Sequence, residues 1–188
     1  MLKVIAGEVK GRTLFTLSSP HVRPILAQVK KSLFDIIRNR LPRARFLDLY
    51  AGSGAVGIEA LSRGAAYAVF VERDQSCLRL LRKNLEKFNY LEKSSVYRLD
   101  ATGDLSILPG PFDVIFMGPP YKDEGKMPLA LVAPTLAALH RHRLLQPSGL
   151  IIAQHHKKEH FQEPIEDWAV TRTERYGDTV LTFIGPRG

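Results

Sequence analysis

Residues 46 to 57 read Phe46-Leu47-Asp48-Leu49-Tyr50-Ala51-Gly52-Ser53-Gly54-Ala55-Val56-Gly57, an apolar run that gives way to three glycines just where a helix should begin. An apolar strand ending in Gly-x-Gly ahead of a helix is a nucleotide-cofactor loop. Glycine permits the sharp turn, and without a Cβ the backbone N–H groups and the positive end of the next helix can approach a ligand closely. Downstream, Ala68-Val69-Phe70-Val71-Glu72 is a second apolar run ending in a carboxylate. It lies about twenty residues on, the distance at which an acid meets the hydroxyls of a ribose. Up to this point a dinucleotide and an adenosyl cofactor fit equally well.

A third run separates them. Phe112-Asp113-Val114-Ile115-Phe116-Met117 ends in Gly118-Pro119-Pro120-Tyr121, an ending for which a dehydrogenase has no use. Two successive prolines fix the chain, remove two N–H donors and leave carbonyl oxygens facing outward, with an aromatic ring immediately after them. Such a site suits a flat base that carries an amino group: the ring stacks on the base while the oxygens accept its N–H bonds. With the cofactor loop at a neighbouring strand end of a parallel sheet, the pattern points to S-adenosylmethionine-dependent methylation of an exocyclic amine.

The chain has 188 residues, 45% hydrophobic and 24% charged, which suits one globular domain with a sizeable core. No stretch approaches the roughly 18 apolar residues of a membrane span, and the start lacks the apolar core of a secretory signal, so the expectation is a cytoplasmic protein with no membrane partner. Cys77 is the only cysteine. It can form no internal disulfide, has no metal-ligand spacing around it, and is expected to be a buried, inert thiol; no metal is implied. The net charge of +8 is concentrated. Residues 1 to 45 hold ten Lys and Arg, among them Lys3, Lys10, Arg12, Arg23, Lys30 and Lys31, against Glu8 and Asp35, while the remainder balances 17 basic with 17 acidic residues. A basic segment beside a neutral catalytic body points to nucleic acid, with those six residues as candidate RNA contacts.

The pattern divides the chain into a basic extension, residues 1–45, and a methyltransferase domain, residues 46–188, forming a single compact unit. In the extension, Lys3 to Ala6 and Thr13 to Leu17 are β-prone runs around a turn between Gly7 and Gly11, which predicts a β-hairpin. After Pro20 and Pro24, Val29, Leu33, Ile36, Ile37 and Leu41 recur at helical spacing, with Lys30, Lys31, Arg38 and Arg40 on the opposite face. Beyond residue 46, strand and helix alternate: helix over Val56 to Arg63, strand over Tyr67 to Glu72, helix over Gln75 to Phe88, strands over Ser95 to Leu99 and Phe112 to Met117, helix over Leu129 to His140, strand over Gly149 to Ala153. Trp168 to Arg175 and Thr179 to Ile184 form a closing pair around Tyr176-Gly177-Asp178. The fold class is therefore α/β, a Rossmann-like, mostly parallel sheet covered on both faces with an antiparallel edge strand. Asp48, Gly52, Glu72, Asp100 and Gly118 fall at or just past successive strand ends and should converge on one crevice.

An ordered set of motifs runs through the chain: Gly11-Arg12-Thr13-Leu14, Arg23-Pro24, Leu33-Phe34, the block from Leu47 to Ala65, Phe70-Val71-Glu72, Asn84-Leu85, Asp100-Ala101, Phe112-Asp113, Pro119-Pro120-Tyr121 and Tyr176-Gly177-Asp178-Thr179. With these the chain resembles the RsmD-type methyltransferases, which modify the exocyclic N2 of one guanine in small-subunit ribosomal RNA. The resemblance implies the class I methyltransferase fold, S-adenosylmethionine as cofactor, and ribosomal RNA or the small subunit as partner of a monomer. It implies that Asp48, Tyr50 and the loop Ala51, Gly52, Ser53 and Gly54 cradle the methionine part of the cofactor. Glu72, with Arg73 beside it, would meet the ribose, Asp100 and Ala101 the adenine. Gly118, Pro119, Pro120 and Tyr121 would receive the target base, flipped out of its stack. Gly57 reads as a helix-packing residue.

Two departures stand out. The family places an acid before the two prolines, Asn in related amino-methyltransferases, and this chain has Gly118. Ile25, Ala27 and Gln28 stand where the family has Thr, Asp and Arg. The missing oxygen would accept a hydrogen bond from the base amine and direct its lone pair at the sulfonium methyl. Losing one hydrogen bond to a charged acceptor, about 1.5 to 3 kcal/mol, corresponds to a rate about tenfold to a few hundredfold lower. Asp123 and Glu124 read as solvated loop acids, not as substitutes. Two other functions stay open on the sequence: a catalytically weakened or silent RNA-binding homologue, suggested by Gly118, and an amino-methyltransferase acting on DNA or protein, since the Pro-Pro-Tyr platform does not itself name the polymer.

Overall fold

The computed structural model describes residues 2–16, 25–121, 127–160 and 167–187. Seven strands form one sheet: β1 (Arg45–Leu49), β2 (Tyr67–Val71), β3 (Ser94–Tyr97), β4 (Phe112–Met117), β5 (Leu145–His156), β6 (Trp168–Tyr176) and β7 (Thr179–Pro186). Their order is β3-β2-β1-β4-β5-β7-β6, parallel through β5 and antiparallel for β7 and β6. The order reverses between β1 and β4, and that switch point opens a crevice at the strands' carboxyl ends.

Alternation along the strands divides the core between the faces. Phe46, Phe70, Val114, Phe116 and Ile152 point one way and pack with α1 (Ala27–Ile36), α2 (Ala55–Ser62), α3 (Gln75–Lys87) and the N-terminal extension. Leu47, Leu49, Val71, Ile115, Met117 and Ile151 point the other way, toward α4 (Val132–Arg141). Asp74 starts α3 by accepting the Cys77 N–H at 2.8 Å, a side-chain cap for one of the helix's orphan donors.

Several expected boundaries move. The N-terminal hairpin is reduced to one antiparallel bridge, Lys3 to Thr13, closed by Val4 N–H to Arg12 O and Leu14 N–H to Leu2 O. Strand β3 stops at Tyr97, where Glu72 N–H takes the Tyr97 carbonyl, so Asp100 sits three residues beyond the ladder. Helix α4 begins at Val132 because the Leu129 N–H is committed to Tyr121 O and Glu159 Oε1 accepts the Val132 N–H. Leu17, Pro20, Arg23, Pro24, Asp123 and Glu124 lie outside the described residues.

One expectation is corrected. Lys30, assigned to an exposed basic face, is 1% exposed. It shares the inner stripe of α1 with Val29, Leu33 and Phe34, whereas Lys31, one step round the helix, faces solvent. Its ammonium lies 3.1 Å from Glu59 Oε2 and donates to Lys3 O at 2.8 Å. Burial lowers its pKa, against the opposing pull of Glu59. Such a group cannot reach a phosphate. Glu59, itself fully buried, accepts the Ile5 and Ala6 N–H groups and the Arg63 guanidinium. A single carboxylate on α2 thus fastens the extension, α1 and its own helix together.

Candidate active site

The chain leaves β1 through Tyr50, φ +62°, and turns through Gly52, φ +55°, and Gly54, φ +82°, into α2. A Cβ on Gly54 would lie 2.3 Å from Leu81 Cδ1, so glycine is required there by both conformation and space. Gly57, one turn into α2, has an ordinary backbone, but a Cβ would lie 2.2 Å from the Phe70 ring; its role is the close approach of helix to sheet. Beneath the loop, Asp48 accepts the Gly57 N–H at 2.8 Å. Burial pushes the Asp48 pKa up to about 7, the Gly57 bond opposes the rise, and the charge of Glu72 adds to it. The Glu72 carboxylate reaches back from the end of β2, accepting the Gly52 N–H with one oxygen and the Arg73 and Asp74 N–H groups with the other, each at 2.8 Å. Tyr50 donates or accepts a 2.6 Å bond with Thr135 Oγ1 on α4, and burial pushes its phenol up to about 12.

Asp48, Tyr50, Ala51, Gly52, Ser53 and Gly118 line one cleft at the switch point. The elements behind it explain the convergence: Asp48 and Phe116 are register partners on β1 and β4, and Gly118 N–H still bonds to Leu49 O at 3.4 Å. Gly54 lies behind the lining, where its turn sets the direction of α2. Arg73 and Asp100 stand apart from the lining as an exposed pair 4.0 Å apart. Asp100 accepts the Thr102 N–H and hydroxyl, which hold its carboxyl below the usual range. Ala101 is buried in the second core cluster. Pro119 is buried and Pro120 half-buried. Tyr121 sets its ring edge-on to His156, centroids 5.7 Å apart, with its hydroxyl 3.4 Å from Thr179 Oγ1.

Sequence reasoning missed part of the lining. Leu2, Thr16 and Ile25 bring the basic extension to the cleft, Cys77 and Leu80 add a face of α3, and Gln154 closes it from β5. Cys77 is buried, its thiol pushed up to about 12 chiefly by desolvation, in keeping with an inert side chain. The available signals were the i, i+3 spacing of Cys77 and Leu80 and a lone amide ending the apolar run Gly149 to Ala153. Among the candidate RNA contacts, Lys3 and Lys10 are exposed; Lys31 is exposed and paired with Asp35; Arg12 donates to Lys87 O at 2.6 Å with its guanidinium 4.8 Å above Phe88. No group of three or more metal-ligating side chains occurs among the described residues, and no helix there is long and apolar enough to cross a membrane.

Residues 2–185 match the family described as Conserved hypothetical protein 95. The chain is 35% identical over 190 residues to YlbH of Bacillus subtilis, covering 100% of each. It is 30% identical over 181 residues to the ribosomal RNA small subunit methyltransferase D of Haemophilus influenzae, covering 94% of this chain and 89% of that one. The solved structure of yhhF from Escherichia coli superposes with a TM-score of 0.84 at 26% identity, over 99% of this chain and 98% of its own.

Proposed function

This chain belongs to the RsmD family of methyltransferases, and on that premise we propose that it methylates the exocyclic N2 amine of one guanine in small-subunit ribosomal RNA, with S-adenosylmethionine as donor. The observation that carries the reading is the meeting of Asp48, Gly52, Ser53 and Gly118 at one cleft, with the Gly54 turn behind them. The residues fit the cofactor: Asp48, Gly52, Ser53 and Gly118 line one cleft, and the buried Asp48 carboxyl there can take a cation. When bound, S-adenosylmethionine supplies an electrophilic methyl on a sulfonium sulfur.

Asp48 would hold the cofactor's ammonium, whose positive charge favours the ionised carboxylate and reverses the effect of burial. Glu72 would exchange its bond to Gly52 for the ribose hydroxyls, and Asp100, beyond β3, would take the adenine amine. Tyr121 would stack on the flipped guanine, and the carbonyls around Gly118 would accept its amine. Lys3, Lys10, Arg12, Arg23 and Lys31 would carry RNA phosphates on the 1–45 segment. We place the enzyme in the cytoplasm, acting as a monomer.

The test is transfer of a labelled methyl group to small subunits lacking this modification, with the product nucleotide mapped. Incorporation at one guanine N2 is expected; no incorporation at any enzyme concentration overturns the reading. Gly118 favours one alternative, an RNA-binding homologue that has lost the chemistry. Strong activity of Gly118→Asp over a wild-type background of zero would select it.

A further inference from the structure

The family's missing oxygen has a neighbour. The parallel ladder of β4 and β5 pairs Phe116 with Ile152 and Met117 with Ala153. One step further sets Gly118 beside Gln154, both on the face that carries Phe116 and Ile152. Gln154 is fixed from its other side too, in antiparallel register with Leu181 of β7. A Cβ built on Gly118 would stand 4.0 Å from Gln154 Nε2, and both residues line the cleft.

The amide there is unspent. Gln154 Oε1 is buried with no hydrogen-bond partner among the described residues, and Nε2 has none there either. A buried acceptor without a partner costs stability, and native chains fill such positions or put them to use. A half-turn of the last torsion exchanges the two ends of a carboxamide, so with neither end held the carbonyl can face the cleft. An aspartate or asparagine before the two prolines would reach into this same space.

Granted the methyl-transfer reading, we infer that Gln154 is the orienting acceptor of this enzyme: its carbonyl accepts an N–H of the guanine N2 amine from the adjacent strand and so replaces the side chain absent at Gly118. The amine lone pair forms the new N–C bond, the C–S electron pair returns to sulfur, and the displaced proton leaves the nitrogen for water. A carboxamide is too weak a base to take that proton. Its role is the one an asparagine can fill, direction of the lone pair without deprotonation.

The experiment compares wild type, Gln154→Leu, Gln154→Glu, Gly118→Asp and the double variant Gly118→Asp with Gln154→Leu. Small subunits reconstituted with guanine or with inosine at the mapped position serve as substrates and ligands. Leucine keeps the volume of the side chain and removes its oxygen. Gln154→Leu is expected to lower kcat roughly tenfold to a hundredfold, with little change in KM or in the calorimetric affinity for S-adenosylhomocysteine. In the Gly118→Asp background the same substitution should cost no more than about threefold, because the acid takes over. Inosine lacks the amine, so with S-adenosylhomocysteine present wild type should bind guanine-bearing subunits several-fold more tightly than inosine-bearing ones, and Gln154→Leu should lose that preference. Gln154→Glu should retain transfer and add an acidic limb to the pH profile.

An active wild type whose kcat and guanine preference survive Gln154→Leu overturns the role of Gln154 and leaves the proposed function standing. Equal losses from Gln154→Leu with and without Gly118→Asp also overturn it, since that pattern marks a structural residue. A wild type that transfers no methyl removes both.

Discussion

The cleft is bounded by two strand ends that differ in how firmly the rest of the molecule holds them. At the end of β1, Gly54 and Gly57 leave no room for a Cβ, Asp48 bonds to the Gly57 amide, Glu72 bonds to the Gly52 amide, and Glu59 on α2 fastens the extension above them. At the end of β4, one strand away, Gly118 carries no side chain, a Cβ there would press only on the Phe116 ring edge at 3.0 Å, and the adjacent Gln154 amide has no partner among the described residues. On the proposed function, residues at the first end would answer to the fold and to the cofactor together. At the second they would answer to the substrate amine, where one acceptor could be lost and another taken up without disturbing the core.

The largest way to break this contrast is to unfasten the β1 end. Glu59→Ala leaves the Lys30 ammonium buried without its counterion and strips the Ile5 and Ala6 N–H groups of their acceptor. Removing one partner of a buried pair costs about 3 to 5 kcal/mol, and urea denaturation should show a loss of that order. A smaller contrast comes from the same substitution at two glycines. Gly57→Ala drives a methyl into the Phe70 ring, 2.2 Å from Cε1, and should cost about 1 to 3 kcal/mol. Gly118→Ala asks for a few tenths of an ångström from one ring edge and should cost less than about 1 kcal/mol. Equal losses at both sites would remove the distinction between the ends.

The β1 end was legible in the sequence because it is local: alternation, a glycine pair and an acid at a set distance lie within some twenty-five residues. The closing pair β6 and β7 was legible for the same reason, with Gly177 at φ +62° in its turn. What escaped notice depends on contacts between distant residues. Lys30 reads as surface charge until Glu59, on another helix, is seen beside it. Leu2, Thr16 and Ile25 fall in or beside the basic extension's predicted elements with no sign of a site, and the extension's attachment to Glu59 and Ser62 brings them to the cleft. Asp100 was expected at the end of a third strand drawn to Leu99; the ladder ends at Tyr97, and Asp100 is exposed with its carboxylate 4.0 Å from Arg73. Gln154 ends a long apolar run, and only the register of β4 against β5 gives its amide a neighbour worth noticing.

The pH dependence of the β1 end sharpens the comparison further. The Asp48 pKa is raised to about 7 from 3.8, so between these values the folded chain holds a proton that the unfolded chain releases. Stability from this group is therefore fully present below about pH 4 and lost as pH rises through about 7. Cofactor affinity has the opposite sign. A bound ammonium favours the carboxylate, so affinity for S-adenosylmethionine should fall up to about tenfold for each pH unit below 7. Asp48→Asn should flatten both profiles, whereas Gly118→Ala should leave both unchanged. Calorimetric titration across pH 5.5 to about 8 would show the slope, and a wild-type affinity that does not vary there contradicts the assigned contact.

The smallest effect belongs to the exposed charge of Lys31, and setting it beside the buried Lys30 separates two lysines adjacent in the chain. Lys31 faces solvent and Lys30 is buried, so only the first can release counterions from RNA. Lys31→Ala should lower the salt slope of RNA binding by about 0.7 to 0.9 for each phosphate that the lysine neutralises, with the melting temperature nearly unchanged. Lys30→Ala should leave the slope unchanged and lower the melting temperature, because Glu59 then stays buried without its ammonium. Filter-binding titrations over a range of salt concentrations, beside thermal melts, read both quantities on the same samples. If the two substitutions gave the same slope change, the inward turn of α1 that separates the lysines would be wrong, and with it the view that the extension is anchored through Glu59.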